Sequence, residues 1–374
     1  MQFKQIIGQK SLKQELIDAI NGGKIAHAQL FQGQAGYGSL PLALGFAQYL
    51  FCAARLPHDS CGTCASCLKI AQLQHPDLHF VFPVVQAVAK TSDQFLSEWR
   101  TQIQTNPYFD LFHWTEAIDN KMRKPIIGTE ESKEIIRKLN LKGFEGGYKV
   151  MIIWQPEEMN ADCANKLLKI LEEPPVKTIF LLVTEDANKL MVTIQSRTQL
   201  IRVPKIENIA LANYLQATKQ QNPTNAEAIA AFADGSLLSA LAYLETSENQ
   251  DQQRQDFIQL MRVCYKKEVL GMMDWAESLA SIGKERQKLF IQYSLHMLRQ
   301  SLLTNYMGQT LTKVSDEEAI FLEKFAPFVH SKNILAIDKE LNDAIYHIER
   351  NGNAKIILLD LSIKLTRLLH SKEQ

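Results

Sequence analysis

The sequence predicts an α/β domain on a mainly parallel sheet over residues 1–203 and an all-helical remainder. Three observations carry that reading. A glycine loop, Gly33-Gln-Ala-Gly36-Tyr37-Gly38, follows the apolar run 28–32. Further apolar runs at 149–153, 178–183 and 200–203 alternate with stretches of helical period. Beyond Pro204 almost every segment reads as helix. At 374 residues the chain exceeds one ordinary core, so two or three domains are expected.

Residues 1–22 alternate helical and polar character, and His27-Ala28 leads into the first strand. The loop after it has the glycine spacing of a phosphate-binding loop, G-x-x-x-x-G-K-[ST], without its chemistry. The Lys position is Ser39, the hydroxyl position is Leu40, and Pro41 follows with no N–H to offer a phosphate. Taken alone, 33–38 also reads as a plain glycine-rich turn. Pro41 is tolerated in a first helical turn. Leu42, Leu44, Phe46, Ala47, Leu50 and Phe51 make that helix apolar on nearly all sides, as a buried helix should be.

The stretch 84–127 has no clean period and reads as an insertion or long connection. Its aromatics, Phe95, Trp99, Tyr108, Phe109, Phe112 and Trp114, are expected to pack on the core; nucleic-acid stacking is the other use of such residues. Thr129 is expected to cap a helix with Glu130 and Glu131 in its first turn and Ile135, Ile136 and Leu139 beyond. The strand 149–153 runs into Trp154-Gln155, where a nucleotide site would place an Asp for Mg²⁺ and a Glu to polarise water. Asn160 is the expected N-cap of the next helix, whose Ala164, Leu167, Leu168 and Leu171 have amphipathic spacing. Pro174-Pro175 ends it. Strand 178–183 comes next, then Ser196-Arg197-Thr198-Gln199 and the short strand 200–203. Past Pro204, residues 205–245 form a small unit containing Gly235-Ser236. A larger unit, 250–374, ends in the Ile- and Leu-rich helix 354–369.

Composition is that of a globular chain, with 46% hydrophobic and 22% charged residues and a formal net charge of zero. Neutrality argues against a free-standing electrostatic nucleic-acid binder, so DNA contact should be local or shared with partners. The opening Met1-Gln-Phe-Lys-Gln-Ile-Ile-Gly lacks a signal-peptide pattern and no apolar run reaches membrane-span length, so a cytoplasmic location is expected. Cys52, Cys61, Cys64 and Cys67 place four thiols within sixteen residues. Four thiolates close a tetrahedral Zn²⁺ site with no position left for water, so one structural zinc per chain is expected. Free thiols and a redox C-x-x-C are the rivals, but the latter uses two cysteines. His75 is an unneeded fifth candidate, and Cys163 and Cys264 read as small core residues.

Several pieces recur in an order and spacing that carries a resemblance. They are Ile7-Gly8-Gln9, His27-Ala28, the degenerate loop, the four cysteines ahead of His75-Pro76-Asp77, Asn165-Lys-Leu-Leu-Lys169-Ile-Leu-Glu-Glu173-Pro174-Pro175, and Ser196-Arg197. Over residues 1–203 the chain resembles the delta-prime family of bacterial DNA polymerase III clamp-loader subunits, within the AAA+ superfamily. The resemblance implies an AAA+ (P-loop NTPase-like) domain with a zinc module at 1–203, a small helical lid domain at 204–248 and a helical collar domain at 249–374 that joins subunits. It further implies a non-catalytic stator with no functional ATP site. Arg197 would serve as an arginine finger in trans on a neighbouring ATPase subunit. The implied partners are gamma/tau and delta subunits, the sliding clamp and, through the assembled complex, primer-template DNA. Three departures stand out: Thr198 where the family has Cys, Leu238 where a second-sensor Arg is expected, and a longer 84–127 stretch. An ATP-hydrolysing gamma/tau-type subunit is the enzyme alternative, and it requires Lys and Thr at 39 and 40. A zinc-dependent nucleic-acid-binding protein outside replication is a third.

Overall fold

The computed structural model describes residues 1–140, 143, 147–245, 250–307, 316–350 and 352–371. The expected boundary at 248/249 lies outside the described residues. Packing divides the chain into two compact units: 1–219 with 234–238, and 220–233 with the residues from Ser239 onward.

Among the described residues the first unit is built on a five-stranded parallel sheet. Its strands are β1 (Ala28–Gln32), β2 (Leu78–Val81), β3 (Lys149–Trp154), β4 (Thr178–Thr184) and β5 (Gln199–Arg202), in the order β2-β3-β4-β1-β5. The helices are α1 (Lys10–Asn21), α2 (Ser39–Phe51), α3 (Ala65–Ala71), α4 (Leu96–Thr105), α5 (Leu111–Ile118), α6 (Thr129–Asn140), α7 (Ala161–Glu172), α8 (Val192–Gln195) and α9 (Asn208–Lys219). β3 and β4 are buried along their whole lengths, which is why they read as continuous apolar runs. Alternation then divides β3 between two cores. Val150, Ile152 and Trp154 join the α1, α2 and 84–127 side, while Met151 and Ile153 join α6 and α7.

The expected strands and the buried helix after the loop are present, and α7 is capped by Asn160, whose Oδ1 accepts the Cys163 N–H at 2.9 Å. Thr129 is the first residue of α6 rather than a residue before it. Two features were not anticipated. β2 is only four residues long and carries His79, too little for a periodic signal. The stretch 84–127 contains α4 and α5, whose Trp99 and Trp114 are fully buried; Phe95, Trp99, Phe109 and Trp114 pack in the core and Tyr108 is buried, whereas Phe112 is half-buried against His113. Phe82 stacks on Trp99 at 4.2 Å and meets Trp114 edge-on at 5.0 Å.

The second unit is helical. Its elements are α10 (Pro223–Phe232), α11 (Leu237–Glu245, mostly in this unit), α12 (Gln250–Lys266), α13 (Val269–Ala280), α14 (Lys284–Met307), α15 (Asp316–Phe325), α16 (Ile334–Glu349) and α17 (Ala354–Leu369). One core runs through α12–α17 and includes Phe257, Trp275, Phe290, Leu341 and Leu361. Cys264 is buried there and Cys163 in the sheet unit, both as small apolar residues. Among the described residues no helix is long and apolar enough to cross a membrane.

Candidate functional site

The glycine loop leaves β1 and feeds straight into α2. Gly33 N–H donates to the Thr184 carbonyl at 3.1 Å, tying the loop to the end of β4. Gly36 and Gly38 have φ of +85° and +100°, which only glycine adopts without strain. A Cβ on Gly36 would stand 2.2 Å from the Ser236 hydroxyl. That hydroxyl donates to the Ala35 carbonyl, and Leu237 N–H donates to Gly36. Leu238, at the expected second-sensor position, packs on the same glycine and presents no charge. Ser39 is buried at the first position of α2, and its hydroxyl has no hydrogen-bond partner among the described residues.

Opposite the loop, β3 ends in a buried aromatic instead of a carboxylate. Trp154 lies 5.0 Å from the Phe109 ring and 5.3 Å from Trp99. Between them Pro107, Tyr108 and Phe109 line the cradle together with the loop, Trp154, Gln155 and Glu185, leaving a cavity of about 20 Å³. That is room for about one water molecule.

One carboxyl, Glu185, lines this cavity, and a second, Glu157, is bonded to the Thr184 hydroxyl and Glu185 N–H next to it. Burial, reinforced by Asp110 and Glu157, raises Glu185 to about 7, against a hydrogen bond from Gln155 and the charge of Lys189. Burial likewise raises Glu157 to about 7, against hydrogen bonds from the Thr184 hydroxyl and the Glu185 N–H. A carboxyl raised on folding favours the folded state when protonated. Its contribution is complete below the ordinary value of 4.5 and is lost as pH rises through about 7. Glu185→Gln should therefore stabilise the chain by roughly 1–3 kcal/mol at pH 8 and by nothing near pH 4. Urea melts at the two pH values check this; an unchanged midpoint at pH 8 contradicts it.

Arg197 lies away from the cradle, in the turn between α8 and β5. Its Nη2 pairs with Glu172 at the end of α7 at 2.5 Å, and its Nη1 donates to the Thr193 carbonyl at 2.9 Å. The side chain is 35% exposed. Thr198 points its hydroxyl at the Gln195 carbonyl, closing the same turn. Beside it, β5 is an edge strand with three of four residues exposed.

The four cysteines converge although they come from four places. Cys52 ends α2, Cys61 lies in the following loop, Cys64 caps α3 and Cys67 sits within it. Their sulfurs all lie within 4.8 Å of one another, and among the described residues they are the only such ligand group. A tetrahedron of about 2.3 Å bonds separates sulfurs by about 3.8 Å; Cys61 and Cys67 Sγ are 3.9 Å apart. Cys61 N–H donates to Cys52 Sγ and Cys64 N–H to Cys61 Sγ, bonds that favour thiolates. The donor set fits a divalent metal of zinc type. His75 instead packs its ring against Phe51 at 4.3 Å, outside the ligand group. The loop also clasps the N-terminal segment. Asp59 accepts both Phe3 and Lys4 N–H groups, and Gln2 donates to the Ser60 carbonyl.

Sequence reasoning named the loop residues, Arg197 and the cysteines as candidates; the structure gathers the four cysteines and the loop residues, and leaves Arg197 outside the cradle. Sequence reasoning missed Tyr108 and Phe109 as lining residues, the Glu157–Glu185 pair, Glu172 and Asp59. Of these, only Asn106-Pro107 ahead of Tyr108 offered a local turn signal.

A parallel sheet in this order, with a glycine loop joining an inner strand to a buried helix, defines a P-loop NTPase-like domain of AAA+ type. The profile of the family described as "DNA polymerase III, delta subunit" matches residues 8–207. DNA polymerase III subunit delta' of Bacillus subtilis is 30% identical over 200 residues, 54% of this chain and 49% of its own. Subunit delta' of Escherichia coli is 27% identical over 187 residues, 50% and 45% of the two chains. Subunit tau of Bacillus subtilis is 26% identical over 248 residues, 65% and 37%. The chain thus spans about half the length of the delta' relatives it matches. It belongs to the DNA polymerase III delta-subunit family, and is of the delta-prime type.

Proposed function

We propose that this chain is a non-catalytic stator of the DNA polymerase III clamp loader, helping to place the sliding clamp on primed DNA. One observation carries the reading: a glycine cradle stripped of phosphate ligands coexists with an accessible Arg197 on an exposed edge. Phosphoryl transfer depends on positioning and charge stabilisation. The cradle has Ser39 for Lys, Leu40 for the Mg²⁺ hydroxyl, Trp154-Gln155 for the acids and Leu238 for the second-sensor Arg. None of these replacements supplies the cationic charge or carboxylate of the working position. Arg197 would act on a nucleotide bound by a neighbouring gamma/tau-type subunit. The Cys52, Cys61, Cys64 and Cys67 cluster would hold one structural Zn²⁺. Residues 204–248 would serve as lid and 249–374 as the collar that meets the gamma/tau and delta subunits, in the cytoplasm.

The similarity to tau favours an ATP-hydrolysing motor as the second reading, but Ser39 and Leu40 speak against it. The purified chain should neither bind nor hydrolyse Mg-ATP, while clamp loading by the remaining loader subunits should depend on adding it. ATP turnover by the isolated chain, abolished by changing its own loop, would favour the motor. Full loading without the chain would sink both readings.

A further inference from the structure

We propose that Tyr108 and Phe109 are a built-in occupant of the glycine cradle, excluding nucleotide sterically in addition to the loss of phosphate ligands. The inference rests on the reading of the cradle as a degenerate nucleotide site, and it assigns a role to the 84–127 stretch.

Tyr108 lies directly over the loop. A Cβ on Gly38 would stand 3.1 Å from its Cε1, so the ring is in contact with the glycine where α2 begins. In a working loop that point, the helix N-terminus, receives phosphate. The ring is not a passing contact. Tyr108 is buried, and its hydroxyl accepts the Ile7 N–H at 3.0 Å across 101 residues of sequence. Its own N–H is held by Asn106 Oδ1 at 2.9 Å, and Pro107 fixes the backbone between them. Phe109 is wedged between Trp99 at 5.5 Å and Trp154 at 5.0 Å. Asp110 then caps α5 through the His113 N–H. Each residue from 106 to 110 is thus anchored or conformationally restricted, and the segment is a rigid bridge from α4 to α5.

Two independent barriers follow. One is chemical, at Ser39, Leu40 and Pro41. The other is steric, at Tyr108 and Phe109, where about 20 Å³ remains. Typical small-molecule pockets are on the order of 300–1,000 Å³. Restoring phosphate ligands alone should not restore binding.

The test uses the full chain in three forms: Ser39→Lys with Leu40→Thr, Tyr108→Ala with Phe109→Ala, and all four changes together. Titration with a fluorescent N-methylanthraniloyl ATP and with ATP by calorimetry reads the outcome. The restored loop alone should show no binding at millimolar nucleotide, and the fourfold variant should bind at least tenfold more tightly. Equal behaviour of these two forms, whether both bind or neither does, overturns the proposal. Thermal melts check folding, and Tyr108→Ser with Phe109→Leu carries the same comparison should the alanine pair not fold. Nucleotide turnover by the unmodified chain would instead overturn the stator reading, so the two failures are distinguishable.

Discussion

Arg197→Ala is expected to leave the chain folded and able to assemble, yet to slow ATP hydrolysis at the adjacent subunit by on the order of 10³–10⁵-fold. That corresponds to about 4–7 kcal/mol of barrier. The cost to folding should be small. Arg197 is 35% and Glu172 49% exposed, and exposed pairs of this kind contribute about 1 kcal/mol or less. The same exposure supports a role outside the chain, since a planar, permanently charged fork at the surface can reach a γ-phosphate held by another subunit. On the proposed reading the loader's other ATPase sites do not depend on Arg197, so total ATPase should fall less than clamp loading does. Arg197→Lys should rescue only in part, as a point charge does not reproduce the fork. Single-turnover hydrolysis at the neighbouring site and loading by the reassembled complex are the measurements. Wild-type values of both in Arg197→Ala would remove the finger assignment.

Cys64→Ser should abolish binding of one equivalent of zinc and lower stability by a few kcal/mol. The loss should stay below that of an isolated zinc finger, because the sheet unit has an extensive core of its own. Its effect should concentrate on the N-terminal segment. Asp59 holds the Phe3 and Lys4 N–H groups from inside the cysteine loop, and Gln2 is bonded to Ser60. Hydrogen exchange at residues 1–7 should therefore rise in the variant and in chelator-treated wild type. Metal analysis of freshly purified, reduced protein decides the matter first, and absence of zinc there would end the idea.

The readable parts of this molecule were those whose signal is local. β3 and β4 carry long apolar runs because both sheet faces are covered, and β1 carries a shorter one, Leu30-Phe31, between two glutamines. Asn160 and the spacing of Ala164, Leu167 and Leu171 announced α7 by capping and period. Cys52, Cys61, Cys64 and Cys67 needed only their proximity along the chain. β2 escaped because four residues at a sheet edge, one of them His79, make no pattern. α4 and α5 escaped because their aromatics face a cluster shared with Phe82 and Trp154, which blurs the helical period.

Sequence alone determined that Ser39 and Leu40 stand where a phosphate-binding loop has Lys and a hydroxyl, that four cysteines lie close along the chain, and that an Arg follows Ser196, since each is a matter of residue identity at short spacing. Tertiary structure decided what fills the cradle and which charges are perturbed. Tyr108 reaches Ile7 across 101 residues, and Glu185 feels Asp110 and Glu157 from separate segments. Contacts at that separation are set by how buried surfaces close on one another, and desolvation depends on everything packed around a group. Neither leaves a mark on the residues beside it in the chain.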